Sequence, residues 1–437
     1  MSISRRQFQV RPPLLFLLGA AFMLCMKVQH SICQWDLLVY YEAAKAVWQG
    51  MNPYDLPAKE GYEGLTVLTV YLYPPLFARV LSPLHWLPVE AVRLSWFVIQ
   101  ALCFEALYWF GLRLFGQRFG WISWMVFHLV GIRYDGVETD FRAGNTALME
   151  AAAITAWATF HLRRPVVSGS WLGVLTAVKP FTVFILIWDI VGKRWRACLG
   201  TAATAGLLGF VMFCDRPLFD RYREFLASPT FQNIMDEHTV GIFNHATVSV
   251  AFRLFTDKTM FLPVLVFPPL AYFLTFAVPL LAWLAAFSIW RKLEDSGLSA
   301  DVANRLGFGL LLPTVLLTTP RVADYTLVWL LGPFFFQTWV CWKARYHGAL
   351  ILYLTAGVVG NLPITGGMLN EDTFQLHWLH FRYASLALFW FAGLVMARAA
   401  LRRTNGAANF MKDRKPVNSG PATGLSDPTE RGSKTFC

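Results

Sequence analysis

Apolar residues in this chain come in long runs separated by polar breaks of two kinds. One kind is short and basic: Arg5/Arg6, Arg113/Arg118, Arg163/Arg164, Lys193/Arg194/Arg196, Arg291/Lys292, Lys343/Arg345 and Arg398 to Arg403. The other is longer, mixed in charge and rich in Pro, Asn and aromatic residues. Apolar runs of roughly 17–25 residues are read as membrane helices. Basic breaks alternating with mixed ones place every basic loop on one side, as the positive-inside rule requires.

On this pattern spans are predicted at 12–32, 89–112, 119–133, 146–162, 197–213, 262–290, 306–318, 326–342, 348–362 and 384–401. The run 166–190 is too long for one span, is basic at both ends and holds Lys179-Pro180 at its centre. Two short helices meeting at Lys179 satisfy all three facts. A segment at 71–87, broken by Pro74, Pro75 and Pro83, reads as a short or re-entrant helix. Outer loops are expected at 33–70, 134–145, 214–261 and 363–383. One membrane domain then covers 1–401, and the polar tail 402–437 reads as disordered and cytoplasmic.

Between the first two spans, 34–49 reads as an interfacial helix. Leu37, Tyr41, Ala44 and Trp48 share one face, and Glu42, Lys45 and Gln49 share the other. Asp36 stands at its start, where it could serve as N-cap with Trp35 and Tyr40 as a hydrophobic staple. Gly50 and Asn52-Pro53 end it.

Composition agrees with the span pattern. Of 437 residues, 56% are apolar and 15% charged, with a mean hydropathy of +0.45. The fold class is an all-α polytopic membrane protein of roughly eleven to thirteen transmembrane or re-entrant helices. The net charge of +11 sits in the basic loops and reports topology, so no nucleic-acid partner is expected. Ser4 to Phe8 resembles a twin-arginine export signal, but no small-residue cleavage site follows, and it reads as the flank of an uncleaved helix. The seven Cys form no CxxC pair. A Cys33–Cys214 disulfide stays open. His377 and His380 are spaced i, i+3 without an evident third ligand, so no metal and no cofactor are expected.

Candidate chemistry gathers at outer helix ends. It comprises Asp36, the Tyr73-Pro74-Pro75 turn, Asn244-His245 with Arg253, and Thr319-Pro320-Arg321 with Asp324-Tyr325. A carboxylate at a dry membrane edge has a raised pKa and suits a general base. Arg321, Lys179 and Arg253 are candidates for holding an anionic leaving group, with Arg382 a further cation. Each of these cations could equally be a headgroup anchor or half of a structural ion pair. Tyr40, Tyr41, Tyr73, Asn244, His245, Asp324 and Tyr325 are candidates for binding sugar or acceptor. The aromatic ones could equally be interfacial anchors.

The segments Asp36 to Ala44, Gly50 to Asp55, Tyr73 to Phe77 and Ser82 to Leu84, in that order and spacing, resemble a GT-C glycosyltransferase of the family 87 type. Weaker echoes follow at Gly144-Asn145, Lys179-Pro180, 244–253 and 319–325. The sequence departs from the family pattern at Gly144 to Ala147, at Asn244 to Thr247 and at Arg321 to Tyr325. The resemblance implies a GT-C bundle, a polyprenyl-phosphate sugar donor, mannose first among the sugars, and a glycan or glycolipid acceptor on the extracytoplasmic side of a bacterial inner membrane. It also implies an inverting transfer with Asp36 as base. A pentosyl transferase, arabinofuranosyl-like, is the rival within the fold. A lipid or solute transporter is the rival from another class, but it would place its polar residues at midplane in paired broken helices.

Overall fold

The computed structural model describes residues 19, 34–56, 59–60, 66–67, 70–240, 244–257, 263–362 and 371–413. For 59–60, 66–67, 237–240, 371–380 and 405–413 it describes the backbone alone. The predicted span 12–32 lies outside the described residues except for Gly19, and so does Cys33. Cys214 is an exposed free thiol.

The protein is an all-α polytopic membrane protein. Five described helices are long and apolar enough to cross a bilayer: α3 (Val89–Leu114), α9 (Trp195–Cys214), α13 (Pro268–Asp295), α14 (Ala300–Thr318) and the 381–404 part of α17 (Glu371–Asp413). Shorter apolar helices pack among them: α6 (Ala147–Phe160), α7 (Pro165–Val178), α8 (Phe184–Val191) and α16 (His347–Gly360). α4 (Trp121–Arg133) and α15 (Leu331–Ala344) complete the apolar set. α14 is buried along most of its length, packed chiefly against α17 and α13 and also against α8 and α15. α9 and α13 expose much of their apolar surface, as lipid-facing helices do. α7 and α9 meet backbone to backbone, because Gly169 and Gly200 leave no room for a Cβ between them.

The interfacial helix is present as α1 (Trp35–Trp48). A two-residue antiparallel ladder follows it, Lys59–Glu60 against Thr66–Val67. Pro74 and Pro75 then start α2 (Pro75–Leu81), which runs into a 3-10 turn at Ser82–Trp86. The predicted break at Lys179 is also present. α7 ends at Val178, a 3-10 turn covers Pro180–Val183, and α8 resumes at Phe184.

Three expected loops differ. Within 134–145 the chain forms α5 (Asp135–Ala143), with a strongly amphipathic pattern. Within 214–261 it forms α10 (Arg216–Leu226), α11 (Pro229–Val240) and α12 (Thr247–Phe255). Within 363–383, α17 has already begun at Glu371, and it continues to Asp413, past the predicted onset of a disordered tail at 402. In each case mixed polarity was read as irregular structure, although a half-exposed helix has the same composition.

Candidate active site

The site is built on the turn between α5 and α6. Gly144 closes α5 with a φ of +67°. A Cβ there would lie 2.8 Å from the Cβ of Leu37 and 3.1 Å from that of Gln34. Glycine is therefore required both for the left-handed backbone and for the close approach of α1. Gln34, itself left-handed at φ 42°, donates its backbone N–H to the Arg142 carbonyl at 2.7 Å. Asp140 accepts from the Ala147 N–H at 3.0 Å and the Leu148 N–H at 3.3 Å, so its carboxyl group caps the N-terminus of α6. Gln100 Nε2 donates to the same carboxylate at 2.9 Å.

This arrangement corrects the expected role of Asp36 as N-cap. The cap position belongs to Gln34, which makes no side-chain cap bond. Asp36 lies inside the first turn, and its Oδ2 accepts from Asn145 Nδ2 at 2.6 Å. Burial raises the Asp36 pKa above 3.8. The Asn145 hydrogen bond and the charges of Arg321 and Lys179 oppose that shift without cancelling it.

Asn145 is the hub of a buried network. Its Nδ2 also reaches Tyr40 Oη at 3.1 Å and Tyr73 Oη at 3.4 Å. Tyr40 donates to Tyr73 at 2.8 Å. On the other side, Asn145 Oδ1 accepts from the Thr146 N–H at 2.7 Å and from Lys179 Nζ at 3.2 Å. Lys179 Nζ pairs with Glu150 Oε1 at 2.7 Å and lies 5.7 Å from the ring centres of both Tyr73 and Tyr325.

Asp36, Tyr40, Tyr73, Asn145, Lys179, Arg321 and Tyr325 all line one cavity of about 670 Å³. Its remaining wall is largely apolar and comes from α1, the chain before Pro74, the break after α7, and α10–α11, with Phe184, Leu226, Phe231 and Ile234 among the contributors. An acid, two cations and phenols thus stand around a space whose other side is hydrocarbon. That arrangement suits a ligand with a polar head and an apolar tail.

The other sequence candidates lie elsewhere. Asp324 does not line the cavity. His245 Nε2 pairs with it at 2.8 Å and Arg382 Nε at 3.2 Å, and Arg382 Nη2 also holds Asp135 at 2.7 Å. Burial would raise the Asp324 pKa, but the charges and hydrogen bonds of His245 and Arg382 outweigh it and hold the carboxyl below 3.8. Asn244 clamps the loop that carries Arg321. Its Nδ2 donates to the Pro320 carbonyl at 3.0 Å, and its Oδ1 accepts from the Val322 N–H at 2.9 Å. Arg253 is buried and donates to the Asn244 carbonyl at 2.8 Å, so it braces that clamp. Tyr41 donates to the Leu87 carbonyl at 3.0 Å, outside the cavity wall. Among the described residues no group of three or more His, Cys, Asp or Glu could hold a metal. The side chains of His377 and His380 lie outside them.

Sequence reasoning missed Glu150 and gave Asn145 no role. Glu150 had a signal, because it is an acid inside the apolar helix ALMEAAAITAW, where an unpaired carboxylate is costly. Asn145 had only the weak family echo at Gly144-Asn145, which assigns it no role. Its meaning comes from partners 109 and 34 positions away.

A helical membrane bundle that holds an acid and two cations around one cavity defines a class, the integral-membrane proteins with a site suited to polar chemistry. The family model for glycosyltransferase family 87 matches residues 71–320, more than half of the chain. The chain belongs to glycosyltransferase family 87 and is a membrane glycosyltransferase. The match begins after Asp36, so that residue joins the site through its contact with Asn145 inside the matched region. No curated protein and no solved structure matches the chain.

Proposed function

We propose that this glycosyltransferase moves a hexose, mannose in the first instance, from a polyprenyl-phosphate carrier to a hydroxyl of a glycan or glycolipid. The transfer takes place on the extracytoplasmic side of a bacterial inner membrane. A new bond forms between the acceptor oxygen and the anomeric carbon. The bond from that carbon to the phosphate oxygen breaks, and its electron pair leaves with the polyprenyl phosphate. The acceptor proton goes to Asp36, and attack opposite the phosphate inverts the anomeric centre. Arg321 meets the charge that develops on the departing phosphate.

One observation carries the reading. Asp36 and Arg321 line the same cavity, and the wall beyond its polar cluster is largely apolar. A base, a cation and a hydrocarbon surface are what an acceptor hydroxyl, a phosphate and an isoprenoid tail need.

The test supplies membranes holding the protein with labelled polyprenyl-phosphate hexoses and pentoses, and compares wild type with Asp36→Ala and Asp36→Asn. The expected result is hexose transfer by wild type and a loss of about 10²- to 10⁴-fold in both variants. Full transfer by both would remove Asp36 as base. Transfer of the pentose alone would replace the sugar, and solute uptake without transfer would favour a transporter.

A further inference from the structure

The orientation of one buried amide is fixed from behind, and this sets what Asp36 can do. Asn145 is 1% exposed, and its side chain has two chemically distinct ends. One end receives two donors that cannot accept, the Thr146 N–H and the Lys179 ammonium. That end must be the oxygen. The other end must then be the NH₂ group, and its shortest contact, 2.6 Å, is to Asp36 Oδ2.

Lys179 cannot turn away from this task. Glu150 holds it at 2.7 Å, both side chains are buried, and the rings of Tyr73 and Tyr325 stand on either hand. Thr146 Oγ1 donates to the same Glu150 oxygen. The charge of Lys179 is thus largely compensated by Glu150. Arg321, which also lines the cavity, forms no ion pair among the described residues.

We infer that Asn145 is the positioning residue for Asp36, locked in its donor orientation by the Lys179–Glu150 pair, so that one carboxylate oxygen is held by the amide while the other faces the acceptor hydroxyl. This rests on the reading of Asp36 as base given above. It also divides the cavity cations. Lys179 serves the base, and Arg321 serves the phosphate.

The consequences differ by variant. Asn145→Ala removes a hydrogen bond to the ionised carboxylate, so Asp36 becomes harder to ionise and free to rotate. Asn145→Asp keeps the acceptor for Thr146 and Lys179 but sets a second carboxylate against Asp36. Like charges at that distance disfavour ionisation further.

The experiment measures transfer from a labelled polyprenyl-phosphate hexose by the full chain in nanodiscs, across pH, for wild type, Asn145→Ala, Asn145→Asp, Glu150→Gln and Asp36→Asn. Donor retention on the same nanodiscs and Tm are read alongside. Asn145→Ala is expected to lower kcat by about 10- to 100-fold, as misplacement of a reacting group does, with donor KM and retention unchanged. Its acid limb should move to higher pH, and that of Asn145→Asp should move further. Glu150→Gln should lower kcat less, and its acid limb should move the other way, to lower pH, because Lys179 loses the anion that offsets its charge beside Asp36.

A wild-type kcat and acid limb in Asn145→Ala, with Asp36→Asn inactive, would overturn the positioning role alone. A loss confined to KM would place Asn145 in donor binding and overturn it as well. Full activity of Asp36→Asn would instead remove the base itself. If Asn145→Ala is too unstable to assay, the order of the acid limbs in Asn145→Asp and Glu150→Gln against wild type decides. Unmoved limbs in both overturn the inference.

Discussion

Lys179 Nζ stands 2.7 Å from Glu150 Oε1, and both side chains are buried. The partners come from different elements: Lys179 from the break between α7 and α8, Glu150 from the first turn of α6. The pair therefore ties the broken hairpin to the helix that begins beside Asp36.

Removing one partner leaves the other charged and buried, which costs about 3–5 kcal/mol, whereas replacing both with apolar groups is far milder. Glu150→Gln and Lys179→Met should each lower Tm in detergent, and Glu150→Leu/Lys179→Met together should lower it less than Lys179→Met alone. Additive losses in a thermal-unfolding series would contradict the pairing.

Gly144 has little room to change. Any L-residue there takes on a left-handed backbone, at about 1–2 kcal/mol. It also drives a Cβ into the 2.8 Å approach of Leu37. Gly144→Ala should displace the start of α1 and lower transfer by at least tenfold while the protein still reaches the membrane. A transfer assay normalised to membrane protein level reads this directly.

The cavity and the neighbouring ion cluster respond to acid in different ranges. Burial raises the Asp36 pKa above 3.8, so, with Asp36 as the proposed base, transfer should fall as pH drops through that higher value. Asp324 is held below 3.8 by His245 and Arg382. Its contribution to stability is fully present above 3.8 and is lost as pH falls through the lower folded value. Rate against pH should therefore fail at a higher pH than Tm against pH does. Coincident midpoints would show that acid inactivation is unfolding.

Arg321 is the cavity cation without an ion pair among the described residues. If Arg321 meets the phosphate of the proposed donor, Arg321→Ala should raise donor KM and lower kcat together, because that charge is present in the ground state and grows in the transition state. Arg321→Lys should recover part of the loss through charge while lacking the two-pronged geometry. Initial-rate kinetics over donor concentration separate the two effects.

Much of this was legible in the sequence. The spans follow from apolar runs, and the break at Lys179 follows from a run too long for one helix with a Lys-Pro at its centre. α1 was placed correctly, but its faces were not: Trp48, put on the apolar face, is exposed, while Tyr40, Ala43 and Val47 are buried. The cavity brings together Asp36, Tyr40, Tyr73, Lys179, Arg321 and Tyr325, all of them marked by a polar or aromatic residue at a helix end. What sequence could not convey was pairing across distance. Asn145 and Glu150 gain their roles from α1 and from the hairpin. Asn244, His245 and Arg253, marked by the same outer position, serve instead to hold the 319–325 loop. The helices α5, α10, α11 and α12 were hidden because partial exposure dilutes the apolar signal that length alone would reveal.

The hairpin of α7 and α8 has a further consequence, in the depth of the site. α7 has 14 residues, which at 1.5 Å each span about 21 Å. Its basic start at Arg163-Arg164 fixes one membrane surface, and its end at Lys179 forms part of the cavity wall. A hydrocarbon layer is about 30 Å thick, so the cavity floor lies several ångströms below the far surface. A helix this short is accommodated because the longer α9 packs along it and its end lines the cavity. The phosphate of the proposed lipid donor would have to reach that depth to meet Arg321.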